Sequence, residues 1–195
     1  MNHLLATLEE FKDFAKDKNL NGKTILDIGC KDSDNKIFFE RFGLLWEGID
    51  IKPHIKETQV IQADMCTYNS DKQYDILFVC HSLEHCERPV DALRNFHKLL
   101  KDDGYLFISL PCYCDRHIMG TGGDYDHIFV LTDQQLIKLL MFTGFKKVNI
   151  FNSTIDGYGG NGQYNMIAIA EKNNPNYEIK KEDVLDIAVI AGKIQ

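Results

Sequence analysis

No stretch of this 195-residue chain approaches the ~18–20 consecutive apolar residues needed to span a bilayer. The amino terminus lacks a basic segment followed by an apolar one, so no secretory leader is expected. Nothing repeats, no tract is of low complexity, and no linker marks off a second folding unit. Basic residues are in deficit: 22 Lys and Arg stand against 29 Asp and Glu, a net charge of −7. A phosphate backbone is gripped by clustered Lys and Arg, so no nucleic-acid partner is expected, and no membrane partner either. What remains is a globular composition, 44% hydrophobic and 26% charged, long enough for one domain with a full core. Six cysteines, at 30, 66, 80, 86, 112 and 114, fall mostly in apolar, strand-like segments. They read as buried thiols of a reducing, cytoplasmic compartment.

Periodicity orders the chain. Leu4, Leu5, Leu8, Phe11, Phe14 and Ala15 recur at helical spacing and open an amphipathic helix that Asn21-Gly22 ends. Strands and helices then alternate. Strands are expected at Thr24–Gly29, Trp46–Ile51, Val60–Ala63, Tyr74–Cys80 and Tyr105–Leu110, the last stopped by Pro111. Tyr74–Cys80 is nearly continuous apolar sequence, as a central parallel strand requires. Helices are expected at Asp34–Phe42, with Ser33 or Asp34 at its cap, and at Arg88–Leu100, which Asp103-Gly104 breaks. A third, Asp133–Phe142, is capped by Thr132 and ended by Gly144. Lys147–Phe151 and Tyr164–Ala170 read as a closing antiparallel pair joined by Asn152–Gln163. The alternation predicts a single doubly wound α/β domain, a seven-stranded mostly parallel sheet with an antiparallel last strand. It occupies residues 21–172, with a helix in 1–20 before it and a possible helix, Glu182–Ala191, in the tail 173–195.

Acidic residues close the first three strands: Asp27 in Leu26-Asp27-Ile28-Gly29-Cys30, Asp50 after Ile49, and Asp64 in Ala63-Asp64-Met65. Open α/β sheets bind ligands beyond those strand ends. Ionised Asp only accepts hydrogen bonds, which suits the ribose diol and adenine amino group of a nucleoside. Asp50 lies 23 residues after Asp27, near the ~20-residue offset of a ribose-binding acid. It also fits a turn residue at a strand end. Asp64 suits an adenine amino group, with Met65 packed on the ring. Asp27 would order Gly29 and the amino end of the ligand, or cap backbone.

The order of these motifs resembles the class I S-adenosylmethionine-dependent methyltransferases, particularly the small type 11/23 branch, from Gly22 to Lys172. Leu26–Cys30, Gly48-Ile49-Asp50 and Ala63-Asp64-Met65 match the ends of that family's first three strands. Tyr74–His85 resembles its fourth-strand signature, which often ends Leu-Glu-His. Leu99–Leu106 resembles its turn into strand five, and His127–Phe145 its late helix with a Gly-Phe exit. The resemblance implies S-adenosylmethionine as cofactor, held by Asp27, Gly29, Cys30, Asp50, Ile51, Asp64, Met65 and His81. It implies a small-molecule, sugar or glycan-precursor acceptor; the oligomeric state stays open. The family's first motif usually runs Asp-x-Gly-x-Gly-x-Gly, whereas Lys31 and Ser33 replace two glycines here. Lys31 faces solvent or meets the cofactor carboxylate as a counter-charge. No Asn-Pro-Pro-Tyr or Asp-Pro-Pro-Tyr tetrad of the amino-methylating nucleic-acid enzymes follows strand four.

Other side chains invite chemistry. His127, beside Asp124, Tyr125 and Asp126 in the long segment Cys112–Val130, suits a base for O- or N-methylation, as does His85; either could instead pack a lid. Tyr113 and Tyr125 could line an acceptor pocket or merely pack. His81-Ser82-Leu83-Glu84-His85 matches the His-x-x-Glu-His pattern of zinc peptidases, in which both His share a helical face. Cys112, Cys114 and His117 lack a clear fourth ligand. No metal ligand is assigned. Two rivals to methyl transfer are a zinc hydrolase using His81, Glu84 and His85, and a nucleoside-binding module without catalysis.

Overall fold

The computed structural model describes residues 3–32, 34–53, 59–111, 127–155 and 163–173. Among the described residues four α-helices, α1 (His3–Ala15), α2 (Asp34–Glu40), α3 (Pro89–Leu99) and α4 (Asp133–Phe142), flank one sheet. Its strands are β1 (Thr24–Ile28), β2 (Leu45–Asp50), β3 (Val60–Gln62), β4 (Tyr74–Cys80), β5 (Leu100–Pro111), β6 (Phe145–Ile155) and β7 (Gln163–Lys172). Their order is β3-β2-β1-β4-β5-β7-β6. The first five pair in parallel, and β7 runs antiparallel between β5 and β6. The expected doubly wound sheet with its antiparallel last strand is present.

Alternation within the strands builds two cores. On one face Leu26, Ile28, Leu77, Val79, Leu106 and Ile108 pack with Leu93 and Phe96 of α3 and Leu136 and Leu140 of α4. On the other, Ile25, Ile76, Phe78 and Phe107 pack with Phe11 and Phe14 of α1 and Phe39 of α2. Phe11 is fully buried, its ring 5.1 Å from Phe39, 5.4 Å from Phe107 and 5.8 Å from Phe78, near edge-on. Such aromatic contacts add to the burial of large rings.

Local differences from the sequence reading have physical reasons. Leu5 is exposed, while Thr7 is completely buried because its hydroxyl donates to Ser109 Oγ at 3.0 Å. Asp103-Gly104 does not precede β5 but lies inside it. Four residues, Lys101–Gly104, bulge between the pairs Tyr74↔Leu100 and Ile76↔Tyr105. Lys101 Nζ there donates to Asp75 Oδ2 at 2.7 Å. Between β4 and α3 lies a single 3-10 turn, Leu83–His85, and α3 begins at Pro89, one residue after the expected start. Thr132 caps α4 with a full capping box through Gln135, as expected. Ser33, most of the Cys112–Val130 segment, part of the β6–β7 connection and the Glu182–Ala191 segment lie outside the described residues.

Removing the Phe11 ring leaves a cavity where two helices meet the sheet. Phe11→Ala is expected to lower unfolding free energy by about 3–5 kcal/mol, read from urea denaturation.

Candidate functional site

Strand order reverses between β1 and β4: β2 and β3 follow β1 on one side, and β5 follows β4 on the other. A crevice forms at the carboxyl ends of strands around such a switch point. Here it is a cavity of about 580 Å³, a size suited to a small-molecule ligand.

Gly29 shapes its floor. Its φ is +73°, and a Cβ there would fall 2.2 Å from Ser82 Oγ. Glycine therefore lets the ends of β1 and β4 approach. Two residues on, Lys31 holds φ +59°, the left-handed region that a glycine enters without steric cost. A hydrogen bond holds it there: the Lys31 amide donates to Asp50 Oδ2 at 2.8 Å. Asp50 Oδ1 accepts the Lys52 amide at 2.7 Å. Asp50 is thus a turn-forming residue whose oxygens each keep a further lone pair for the cavity.

Asp64 follows the same pattern. Its Oδ1 accepts the Cys66 amide at 2.7 Å, and Oδ2 meets Arg88 Nη2 at 3.4 Å. Gly29, Asp50, Ile51, Asp64, Met65, His81 and His85 all line the one cavity, together with Lys31. Arg88, Cys66 and Cys86 line it too; no motif in the sequence singles them out.

Asp27 and Cys30 are not on the lining. Asp27 is 1% exposed, and its Oδ2 accepts from Asn35 Nδ2 at 2.9 Å and Trp46 Nε1 at 3.3 Å. The carboxyl ties α2 and β2 to β1 beneath the cavity floor. Burial pushes its pKa up to about 7 despite those donors. The Cys30 thiol is buried, its Sγ 3.6 Å from Ile49 O, and burial pushes its pKa up as well.

A second cluster forms where β4 ends. His81, at φ +47°, places Nε2 2.9 Å from Asn165 Oδ1 of β7 and Nδ1 3.3 Å from Glu84 Oε1. Asn165 Nδ2 in turn donates to Thr7 Oγ1 at 3.3 Å. His127 lies on the same side, its ring 4.9 Å from that of His85 and its Nε2 3.9 Å from Glu84 Oε1. The Ile128 amide donates to Glu84 O at 2.9 Å and holds that segment against the turn. His81 stands outside the 3-10 turn that carries Glu84 and His85, so the helical zinc-peptidase pattern is not formed. That removes the geometric basis for a hydrolase built on His81, Glu84 and His85. Cys112, Tyr113, Cys114, His117, Asp124, Tyr125 and Asp126 lie outside the described residues.

Asp27 gives the site a pH signature. Its ordinary pKa of 3.8 rises to about 7 in the fold, so the fold prefers the neutral carboxyl. Its contribution to stability is complete below the unfolded value and is lost as pH rises through the folded one. Asp27→Asn is neutral throughout. In denaturation measured from about pH 4 to about pH 8, stability of the variant relative to the parent should rise across that window. A flat difference would mean that Asp27 does not titrate there.

Residues 1–150 match the family described as a methyltransferase domain. Among curated proteins, (S)-coclaurine N-methyltransferase of Papaver somniferum is 25% identical over 124 residues, 56% of this chain and 35% of the enzyme. The chain thus spans about a third of the length of that relative. A crystal structure of a SAM-dependent methyltransferase from Archaeoglobus fulgidus superposes with a TM-score of 0.69 at 20% identity, covering 88% of this chain and 95% of that one. The 1,6-didemethyltoxoflavin-N1-methyltransferase of Burkholderia thailandensis, with its substrate and S-adenosylhomocysteine bound, gives 0.63 at 15% identity, covering 88% and 86%. These superpositions speak to the fold. With the family match over most of its length, this chain belongs to the class I S-adenosylmethionine-dependent methyltransferases, in the type 11/23 branch.

Proposed function

We propose that the chain moves a methyl group from S-adenosylmethionine to an oxygen or nitrogen of a small-molecule acceptor, a sugar or glycan precursor among them. One observation carries this reading: Asp50 and Asp64, from neighbouring strand ends, face the same cavity as Gly29 at one side and His81 and His85 at the other. That donor set fits the cofactor. The remaining lone pairs of Asp50 take the ribose hydroxyls, Asp64 takes the adenine amino group, and Met65 packs on the ring. Ile51 borders the same pocket. Lys31 meets the carboxylate, and His81 flanks the methionine portion, a reading supported by both residues lining the cavity. Asp27 and Cys30 serve from below by fixing the floor on which Gly29 turns.

When bound, the cofactor supplies an electrophilic methyl group on a sulfonium. The protein's share is alignment, and orientation of two reactants can supply ~7–11 kcal/mol of barrier lowering. His127 and His85 stand on the acceptor's side and manage its proton, a task suited to imidazole near neutral pH. The N-methyltransferases among the relatives support a small acceptor. The net charge of −7 supports the expectation of no nucleic-acid partner. Among the described residues no helix is long and apolar enough to cross a membrane. The free thiols of Cys30, Cys66, Cys80 and Cys86 support a cytoplasmic setting.

Calorimetric titration with S-adenosylmethionine tests the cofactor half. Asp50→Asn keeps the side-chain shape but loses charge-assisted bonds worth about 1.5–3 kcal/mol, so affinity should fall roughly tenfold or more. Unchanged affinity would remove the ribose assignment. The acceptor half is read by formation of S-adenosylhomocysteine across a panel of hydroxyl and amine acceptors. His127→Ala should cut turnover by about a hundredfold or more while cofactor affinity holds. A parent protein that binds the cofactor tightly yet turns over nothing would favour a binding module.

A further inference from the structure

Glu84 is the anomaly of this molecule. It is 1% exposed, and neither carboxylate oxygen receives a hydrogen bond among the described residues. Burying a carboxylate without a partner costs several kcal/mol, so such groups are normally paired or coordinate a metal. His81 Nδ1 and His127 Nε2 lie 3.3 and 3.9 Å from Oε1, and neither makes a hydrogen bond to it. The ligand-capable atoms of Glu84, His85 and His127 all lie within 4.8 Å of one another.

We propose that Glu84, His85 and His127 bind one divalent transition-metal ion of the zinc type at the rim of the cavity. Two imidazoles and a carboxylate are the donor set of zinc sites that keep an open position, and of other two-histidine, one-carboxylate centres. Bonds of about 2.0–2.2 Å put ligand atoms about 3.3 Å apart, a modest contraction from the present spread of up to 4.8 Å. The parts that must stay still are already fixed. Glu84 and His85 are consecutive in one turn, and the Ile128 amide ties the residue after His127 to the Glu84 carbonyl at 2.9 Å. His81 Nδ1 borders the set at 3.3 Å from Glu84 Oε1, and its ring is held by Asn165 at 2.9 Å.

This set differs from the His-x-x-Glu-His motif of the sequence. A ligand from a distant segment replaces His81, and no helix is involved. Its function follows from its open side. His85 lines the cavity, so an ion held by its imidazole would stand beside the space where an acceptor must enter. An oxygen ligand suits the ion's open positions, which narrows the acceptor to molecules that present a hydroxyl. A hydroxyl bound there gives up its proton to solvent base more readily than a free one. With an ion bound, His127 and His85 would manage the acceptor's proton through the ion they hold rather than by taking it up directly. The acceptor class rests on the proposed methyl transfer; the ion site does not.

The test uses the full chain, stripped with chelator and titrated with cobalt(II), then with zinc(II) in competition. One ion per chain is expected, with visible ligand-field bands of low-symmetry cobalt that zinc abolishes. His127→Ala and His85→Ala should each weaken binding roughly tenfold or more, at least the effect of losing an outer-shell partner. Glu84→Gln should do the same, with thermal unfolding checking that the variants fold. Absence of stoichiometric uptake by the parent, or parent-like affinity in both histidine variants, overturns the proposal. Cofactor titration of the same samples keeps the two readings apart. Ion uptake without cofactor binding refutes methyl transfer and leaves the metal site standing; cofactor binding without ion uptake does the reverse.

Discussion

The site depends on how closely the ends of β1 and β4 approach. These strands are neighbours in the sheet but lead to opposite sides of it, so the crevice exists only if their exits separate without a side chain between them. Gly29 meets that condition: any Cβ would overlap Ser82. The constraint extends along the turn. With the chain pulled tight at Gly29, Lys31 is forced into a left-handed conformation, which costs an L-residue roughly 1–2 kcal/mol. The Asp50 carboxylate compensates by accepting the Lys31 amide. The acid at the end of β2 is therefore both a brace for the first loop and a wall of the pocket.

Two buried carboxylates show how differently one fold treats the same group. Asp27 sits under the floor with two side-chain donors and lifts its pKa toward neutrality. Glu84, equally buried, has three histidines around it and no hydrogen bond to its carboxylate among the described residues. The first is a structural tie between β1, β2 and α2. The second stores an unmet need for positive charge beside the cavity, and such unmet polar groups mark functional ground.

The fold was legible in the chain because its signals are local. Apolar strands, the capping box at Thr132 and the Gly-Asp spacing each act over a few residues, and together they admit few topologies. The lining of the cavity was legible in part for the same reason: Gly29, Asp50, Ile51, Asp64, Met65 and His81 occupy strand ends, where a parallel sheet must present them. Other features arise from long-range contact and had no local trace. Thr7 is buried in preference to Leu5 because of a partner on β5. Asp27 is turned away from the rim by the pleat of β1, and Cys30 lies past the end of that strand with its thiol against the Ile49 carbonyl. Arg88 reaches Asp64 from the start of α3, and His127 meets Glu84 from a segment far along the sequence. Periodicity alone could not foresee the Lys101–Gly104 bulge either, since the residues concerned read as an ordinary turn.

The polar thread from Thr7 through Asn165 to His81 joins the first helix to the mouth of the pocket across the full depth of the sheet. The opening helix is therefore more than a lid on the aromatic core. Its seating is coupled through the Asn165 amide to a histidine that borders the cavity. Removing this helix would take away one of the anchors of the Asn165 amide and, through it, of the histidine at the tip of the fourth strand.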